Sequence, residues 1–253
     1  MLQAERRNYI IQYLKEHGKV VIEDLAKTLD ISPMTIRRDL KYLEENNFIT
    51  RTHGGAVLHD MLIEEVPYQQ KTSEHMEEKQ RIAEYASSLV KEGYSIILDA
   101  GTTNMEIAKR IKDIKNLKVI TTDLMIALFL SKFQGIQVFC TGGSIQSATG
   151  ACLGSDAKEF IEKICANIAF IGTSSVDINK GLTTPGLEKA KIKKQIIDSA
   201  DKSILVADHW KFGKKSFAKI CSLDQLDEII TDKGIHPHTL KQINDLGVSV
   251  KLV

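Results

Sequence analysis

The sequence lacks any long apolar run. No stretch approaches the roughly 18 consecutive uncharged apolar residues that a membrane-spanning helix needs. The opening residues, MLQAERRNYI, also lack the apolar core of a signal peptide. We therefore expect a cytoplasmic protein that makes no contact with a membrane.

Cysteine is scarce. Cys140, Cys152, Cys165 and Cys221 form no CxxC pair and have no metal-ligand spacing with the seven histidines. This pattern argues against a disulfide framework and against a zinc site, so we expect buried free thiols. We predict neither a bound metal nor another cofactor.

Net charge is also small. The 34 Lys and Arg residues are balanced by 33 Asp and Glu residues, which leaves a formal charge of +1. The whole-chain field is therefore nearly neutral, and any nucleic-acid binding must come from a local basic patch. With 253 residues, 43% hydrophobic and 26% charged, the composition is that of an ordinary soluble protein, and the length favours two domains.

The stretch SPMTIRRDL, residues 32–40, predicts a helix with a sharp start. Ser32 can cap the first free N–H groups, and Pro33 suits the first helical position because its missing N–H costs nothing there. Counted at about 100° per residue, the apolar positions fall on one face: Ile36, Leu40 and Leu43. The basic positions fall on or beside the opposite face: Arg37, Arg38 and Lys41.

Two more helices are predicted before this one, with apolar stripes through Ile10 and Leu14 and through Leu25 and Leu29. Three short helices, the last two joined by a tight turn, have the spacing of a helix-turn-helix. The following run FITRTHGGAVL places two β-prone segments around a glycine pair at 54–55, which predicts a small β-wing.

Charge in residues 1–57 is balanced in number, with nine Lys and Arg against eight Asp and Glu, but it is segregated in space. The arginines of the third helix, with Arg51 and His53 on the wing, can contact one DNA backbone. Arginine in a recognition helix either reads guanine or holds phosphate. For one isolated helix, a solvated surface face explains the same pattern. Asp39 has two open readings, an ion pair with arginine or a contact with DNA.

The run SPMTIRRDLKYLEENNFITRTHGGAV resembles the winged helix-turn-helix signature of the DeoR family of bacterial transcription regulators. The matching residues are Ser32, Thr35, Ile36, Arg37, Arg38, Asp39, Leu40, Leu43, Arg51, His53, Gly54, Gly55 and Ala56. The resemblance implies that residues 1–57 bind double-stranded operator DNA. The candidate DNA contacts are Ser32, Thr35, Arg37, Arg38, Lys41, Arg51 and His53.

Residues 58–73 have no sustained period and contain Pro67, so we predict a linker there. A charged helix is expected at about 74–91. Beyond Tyr94, apolar runs alternate with amphipathic helices. The predicted strands are YSIILDAG, KVITTD, IQVFCTGG, IAFIGTS, SILVAD and EIITD, and the predicted helices between them are TTNMEIAKRI, DLMIALFLSKF, DAKEFIEKI and LEKAKIKKQIIDSA. This alternation predicts an α/β domain with a mainly parallel sheet covered on both faces.

Ligands of such sheets bind beyond the carboxyl ends of the strands, where unusual residues collect in this chain. DAGTT, 99–103, stands between a strand and a helix N-terminus, which can bind an anion through free N–H groups. TGG at 141–143 and IGTSS at 171–175 also place glycine and hydroxyl residues after predicted strands. Lysines 193, 194 and 211 mostly fit a solvated face, although one or two can reach a phosphate.

These pieces also resemble the sensor domain of the DeoR family, from about Lys79 to Asp232. The family implies a repressor of sugar-catabolism genes whose sensor domain is related in fold to ribose-5-phosphate isomerase and binds a phosphorylated sugar. Asp123 stands where the family usually has asparagine. The candidate effector contacts are Asp99, Gly101, Thr102, Thr103, Thr122, Asp123, Gly142, Gly143, Glu188, Lys193, Asp208 and Lys211. Residues 74–253 are thus expected to sense the effector and to oligomerise.

Two other functions would account for parts of the sequence. A sugar-phosphate isomerase with a DNA-binding appendage would need a positioned carboxylate base, and the apparent counterpart of the isomerases' Asp-Gly-Ala-Asp run reads IGTSSVD here, with no carboxylate at 172–175. We therefore expect binding without turnover, not an enzyme. The second is a DNA-binding protein that responds to a partner protein docked on its sheet. The loops suited to anion binding argue against this function. Helix-turn-helix proteins commonly read repeated half-sites, so we expect a homodimer or homotetramer.

Overall fold

The structure is a computed structural model that describes residues 3–17, 19–45, 49–52, 54–58 and 65–253. The chain divides into two compact units, Met1–Met61 and Leu62–Val253. Within the described ranges, no helix is long and apolar enough to cross a membrane.

The first unit has the predicted helix-turn-helix and wing. Its described elements are α1 (Gln3–His17), β1 (Lys19–Val21), α2 (Ile22–Leu29), α3 (Pro33–Glu45), β2 (Ile49–Thr52) and β3 (Gly55–Leu58). The strands form an antiparallel sheet in the order β1-β3-β2. The sequence predicts the β2–β3 hairpin but not β1, because three residues are too few to show a strand period and their partner strand lies far along the chain.

The cap of α3 confirms the predicted helix start. The N–H of Thr35 donates to Ser32 Oγ at 3.2 Å, while α2 ends at Asp30 in the left-handed conformation. Gly55 has a packing role in the wing: a Cβ on it would lie 1.9 Å from the carbonyl oxygen of Val20 in β1. The third strand of the wing therefore requires glycine at position 55.

The second unit is an α/β fold. Its helices are α4 (Tyr68–Ser73), α5 (Met76–Ser88), α6 (Thr102–Ile111), α7 (Leu124–Leu130), α8 (Ser155–Glu162), α9 (Leu187–Asp198) and α10 (Pro237–Asp245). Its strands are β4 (Ser95–Leu98), β5 (Leu117–Thr121), β6 (Ile136–Cys140), β7 (Ser144–Gln146), β8 (Ala151–Leu153), β9 (Ala166–Ile171), β10 (Ser175–Asp177), β11 (Gly181–Thr184), β12 (Ala200–Val206), β13 (Ala218–Cys221), β14 (Glu228–Thr231) and β15 (Ser249–Leu252).

Seven of these strands form a parallel sheet in the order β15-β14-β12-β9-β4-β5-β6, which confirms the predicted architecture. All six predicted strands are in it. The edge strand β15 was missed because its residues alternate between exposed and half-buried, so it lacks the apolar run of a central strand.

The two faces of this sheet bury separate hydrophobic clusters. In β4, Ile97 packs into one cluster with α8 and α9, whereas its neighbours Ile96 and Leu98 pack into the other with α5 and α6. Successive strand residues point to opposite faces, so a central strand must be apolar throughout. The short strands lie outside the main sheet, as a β7–β8 hairpin and an antiparallel sheet in the order β10-β11-β13.

The interpretation of 58–73 as a linker needs correction from residue 65 onward. This stretch contains α4, and the N–H of Tyr68 donates to the carbonyl of Ala148 at 2.8 Å. The Glu65 carboxylate accepts from Lys189 of α9 at 3.0 Å. These partners lie far along the chain, so the absence of local periodicity gave no sign of them. Residues 59–64 of the predicted linker lie outside the described residues.

Candidate functional site

In the first unit, α3 buries its apolar side and exposes its basic side, as predicted. Ile36 and Leu40 are fully buried, whereas the side chains of Arg37 and Lys41 are 48% and 67% exposed. Arg38 is also exposed, and within the described part of the chain its side chain has no ion pair or hydrogen bond. A basic surface is therefore available along α3.

The ion pairs on this surface are long and open to solvent. Arg37 lies 3.8 Å from Glu23, Lys41 lies 3.7 Å from Glu45, and Arg51 of β2 lies 3.9 Å from Glu44. Exposed pairs of this kind contribute about 0–1 kcal/mol each. These cations can therefore exchange their carboxylates for DNA phosphates at little cost.

Asp39 makes an ion pair, but with α1 rather than with its neighbours in sequence. Its side chain is 1% exposed and accepts from the Nε atoms of Arg6 and Arg7, the latter at 3.0 Å. Of the two readings, the ion pair is therefore correct, and a DNA contact is excluded by burial. Asp39 therefore joins α1 to α3, while Arg37 and Arg38 are exposed.

The three remaining predicted DNA contacts are Ser32, Thr35 and His53. Ser32 is exposed, and its hydroxyl caps α3. Thr35 is half-buried, with its hydroxyl 3.0 Å from that of Ser32. His53 lies outside the described residues.

In the second unit, an open cleft with about 630 Å³ of empty space, its mouth included, lies at the carboxyl ends of β4, β9 and β12. These three strands are neighbours in the sheet, so the loops that follow them converge. The lining residues are Lys71, Glu74, His75, Lys79, Ala100, Gly101, Thr102, Thr103, Asn104, Gly172, Thr173, Ser174, Lys189, Lys193, Val206, Ala207, Asp208 and Lys211.

The N-terminus of α6 opens into this cleft without a side-chain cap. Gly101 precedes the helix with a φ of 156°, near the limit of the region that favours glycine, and its own N–H donates to Asp123 at 3.1 Å. Among the described residues, the N–H groups of Thr102, Thr103 and Asn104 have no acceptor. Free N–H groups at a helix start, together with the helix dipole, form an anion site.

Asn104 adds a buried acceptor that sequence analysis missed. Its side-chain amide group donates to the carbonyls of Asp99 and Phe170 at 2.8 and 3.2 Å, which fixes its orientation. Its Oδ1 atom is buried and has no partner within the described residues. A ligand hydroxyl in the cleft would satisfy this oxygen.

Asp99 and Lys193 form a buried ion pair beneath the cleft. The Asp99 carboxylate accepts from Lys193 Nζ and from the N–H groups of Ala100 and Gly172, at 2.8 and 2.9 Å for the two amides. Lys193 Nζ also donates to the carbonyl of Gly172 at 2.9 Å. Because these donors occupy its carboxylate, Asp99 positions the loops after β4 and β9 rather than facing a ligand directly.

Lysines outnumber acids along the cleft wall. Five lysines line it, at 71, 79, 189, 193 and 211, against Glu74 and Asp208. Burial lowers the pKa of Lys71 to about 8, and burial followed by the neighbouring Lys193 lowers the pKa of Lys189. A nearby anion stabilises the charged form of a buried lysine. Lys71 and Lys189 share one carboxylate, that of Glu65.

Six of the twelve predicted effector residues line the cleft: Gly101, Thr102, Thr103, Lys193, Asp208 and Lys211. Asp99 lies directly beneath it, through Lys193 and Gly172. The structure does not bring the other five into the lining: Thr122, Asp123, Gly142, Gly143 and Glu188.

Structural roles account for most of those five. Asp123 caps α7 by accepting from the N–H of Met125 at 2.8 Å, and burial raises its pKa. The carbonyl of Thr122 accepts from the N–H of Cys152. A Cβ on Gly143 would lie 2.3 Å from the carbonyl oxygen of Leu153, and Gly142 adopts a positive φ of 70°. Glu188 is exposed on the first turn of α9.

Lys189 and the residues that approach from the segment before β4 are not among the residues predicted from the sequence. Lys189 and the predicted Lys193 are four apart in α9, so helical spacing places them on one face and could have identified the first from the second. Lys71, His75 and Lys79 fell in the predicted linker and charged helix, where only tertiary contacts reveal their position. Within the described ranges, no group of three metal-ligating side chains converges.

Comparison with known proteins gives matches along nearly the whole chain. Residues 6–61 match the model of the DeoR-like helix-turn-helix domain, and residues 74–233 match that of the DeoR C terminal sensor domain. Similar proteins include the HTH-type transcriptional regulator GlpR of Haloferax volcanii, 35% identical over 99% of this chain and 98% of that protein. The glycerol-3-phosphate regulon repressor of Escherichia coli is 30% identical over the whole of both chains. The putative aga operon transcriptional repressor of Escherichia coli O157:H7 is 30% identical over 99% of this chain and 94% of that protein.

Two solved structures illustrate the structural likenesses. A D-ribose-5-phosphate isomerase in complex with phospho-erythronic acid has a TM-score of 0.41 and 17% identity over 54% of each chain. The eIF2B delta protein of Chaetomium thermophilum has a TM-score of 0.40 and 15% identity over 56% of this chain and 50% of that chain.

Proposed function

The chain belongs to the DeoR family of transcription regulators, and from this premise we propose that it represses genes of sugar catabolism in the cytoplasm. We further propose that a phosphorylated sugar bound in the cleft of the second unit changes its affinity for operator DNA. Relatives named as repressors of the glycerol-3-phosphate regulon and of the aga operon support the choice of genes.

The observation that carries the effector proposal is the pairing of an uncapped helix start with a surplus of lysines in one cleft. The free N–H groups of α6 suit phosphate oxygens, and Lys211, half-buried at the wall, adds positive charge. The sugar hydroxyls would contact Asn104 Oδ1 and the hydroxyls of Thr173 and Ser174. The proposal thus assigns backbone N–H groups to the phosphate and side-chain oxygen atoms to the sugar.

On the DNA side, we assign the recognition surface to α3 and the wing. The N-terminal residues of a recognition helix lie nearest the bases, which gives Thr35, Arg37 and Arg38 the central positions. Lys41 and Arg51 are assigned to phosphates, and Ser32 to capping the helix at the interface. His53 remains a prediction from the sequence. A homodimer or homotetramer would present two such surfaces to repeated half-sites.

Calorimetric titration tests the effector site. Phosphorylated sugars should bind, the same sugars without phosphate should bind far more weakly, and Lys211→Ala should weaken the phosphorylated ligands. Lys132→Ala, an exposed lysine elsewhere on the second unit, is the matched control. Equal binding of phosphorylated and free sugars would show that the cleft does not recognise phosphate.

A second titration tests the coupling to DNA. Fluorescence anisotropy with a labelled fragment from the promoter region next to the gene measures DNA affinity with and without the ligand. Typical couplings between two sites are about 1–3 kcal/mol, a change in affinity of roughly 5- to 150-fold. A ligand that binds in the cleft and leaves DNA affinity unchanged would contradict the proposed regulation.

A further inference from the structure

Glu65 binds two of the lysines that line the cleft. Its Oε1 lies 3.0 Å from Lys189 Nζ, and its Oε2 lies 3.2 Å from Lys71 Nζ. The Glu65 side chain is 8% exposed. Burial alone would raise the pKa of this carboxyl, but Lys189 and Lys71 outweigh it and hold the pKa below its usual value. Glu65 is therefore a carboxylate anion at neutral pH.

The two ammonium groups retain capacity for another anion. A lysine has three N–H donors. Within the described part of the chain, Lys71 Nζ donates to Glu65 alone, and Lys189 Nζ donates to Glu65 and to Gln146 at 3.1 Å. One carboxylate thus faces two cations, both of them in the wall where the proposed ligand binds.

Glu65 lies close to the start of the second unit, so its contacts help to hold the beginning of this unit in place. It stands in the stretch through which the chain continues from the first unit. The next contacts along this stretch are those of α4, where the N–H of Tyr68 donates to Ala148 and the carbonyl of Lys71 accepts from Lys79 Nζ. The cleft side chains Lys189 and Lys79 therefore hold segment 65–73 to the second unit in part, together with the backbone bond to Ala148.

We propose that Glu65 acts as an internal anion in a subsite formed by Lys71 and Lys189, and that a phosphorylated ligand displaces its carboxylate and loosens segment 65–73. The inference rests on the proposed function and gives the regulation of the same cleft. The bound anion and the Glu65 carboxylate carry like charges at the same two ammonium groups, so binding of one weakens binding of the other. The two effects are thermodynamically linked. The factor by which the bound ligand weakens the contact between Glu65 and its lysines equals the factor by which loss of that contact tightens ligand binding.

The experiment uses the full chain and inorganic phosphate as the probe, with sodium chloride at matched ionic strength as the salt control. Glu65→Gln keeps the shape of the side chain and removes its charge. Glu159→Gln makes the same charge change at an exposed position on α8. Binding is followed by the fluorescence of Trp210, the only tryptophan, whose ring stacks at 4.9 Å on His75 of the cleft wall.

Backbone amide hydrogen exchange over segment 65–73 is measured in the same samples. Glu65→Gln should bind phosphate about tenfold more tightly than the unmodified protein, within the usual range of roughly 5- to 150-fold for coupled sites. Phosphate should accelerate exchange of segment 65–73 in the unmodified protein. In Glu65→Gln this exchange should be fast already and insensitive to phosphate, while Glu159→Gln should behave as the unmodified protein does.

Two failures are distinguishable. Phosphate binding that is equal in Glu65→Gln and the unmodified protein, or that leaves exchange of segment 65–73 unchanged, overturns the displacement while the cleft stands as an anion site. Absence of a phosphate response in both proteins overturns the proposed anion cleft itself. The exchange comparison on the unmodified protein, with and without phosphate, decides the displacement even where the variant does not fold.

Discussion

Replacing Asp99 by Asn should destabilise the second unit severely, because it leaves the buried ammonium group of Lys193 without its counter-ion. Lys193 is 2% exposed, and its ammonium group contacts the Asp99 carboxylate and one carbonyl, that of Gly172. Asparagine keeps the shape and one oxygen acceptor but loses the charge. Removing one partner of a buried ion pair costs about 3–5 kcal/mol, because the remaining charge is left without compensation.

Urea denaturation and thermal unfolding, both followed by circular dichroism, measure this loss. For a domain of this size, each kcal/mol lowers Tm by about 2–4 °C, so Asp99→Asn should melt roughly 6–20 °C below the unmodified protein. Asp113→Asn, at an exposed turn position, is the control and should stay within about 0.5 kcal/mol.

A double variant separates the cause from general damage. Asp99→Asn combined with Lys193→Met removes both charges, so it should recover part of the stability lost in Asp99→Asn. A single variant within about 1 kcal/mol of the unmodified protein would refute the reasoning. A double variant less stable than the sum of the two single changes would show that packing, and not the stranded charge, dominates.

The remaining predictions concern DNA, pH and chemistry. If Arg38 reads a base, Arg38→Ala should weaken operator binding by about 1–3 kcal/mol in an anisotropy titration and relax the sequence preference. If Arg38 contacts a phosphate, the variant should weaken binding to all DNA sequences alike and reduce the salt dependence of binding. Unchanged affinity in the Arg37, Arg38 double alanine variant would exclude this interface. Affinity for a sugar phosphate, measured by calorimetry, should fall between about pH 7.5 and 9.5, because Lys71 has a pKa of about 8 and loses its charge there. The phosphate, with a second pKa of about 6, stays fully ionised over this range. An affinity that does not change with pH would show that Lys71 does not contact the ligand. Hydrogen exchange at the sugar carbons in heavy water, followed by NMR, should not exceed the uncatalysed rate, because residues 172–175 supply hydroxyls and no carboxylate base.

The sequence by itself determined the elements whose signals are local. The cap at Ser32 and the apolar face of α3 depend on spacing within one helix, and the six predicted strands are apolar because both of their faces are buried. The uncapped helix start at DAGTT is likewise a local feature, since it requires only a strand end, glycine and a helix start.

Only the tertiary structure decided which strand ends share the cleft. The sheet order places β4, β9 and β12 side by side, so their loops converge, while β5 and β6 continue the sheet on the other side of β4. The loops after β5 and β6, with Asp123 and Gly142, therefore do not line the cleft although their sequences resemble those that do. Strand order depends on pairing between distant segments, which leaves no mark on the residues of one loop. The same holds for Glu65, because its partner in α9, Lys189, lies 124 residues further along the chain.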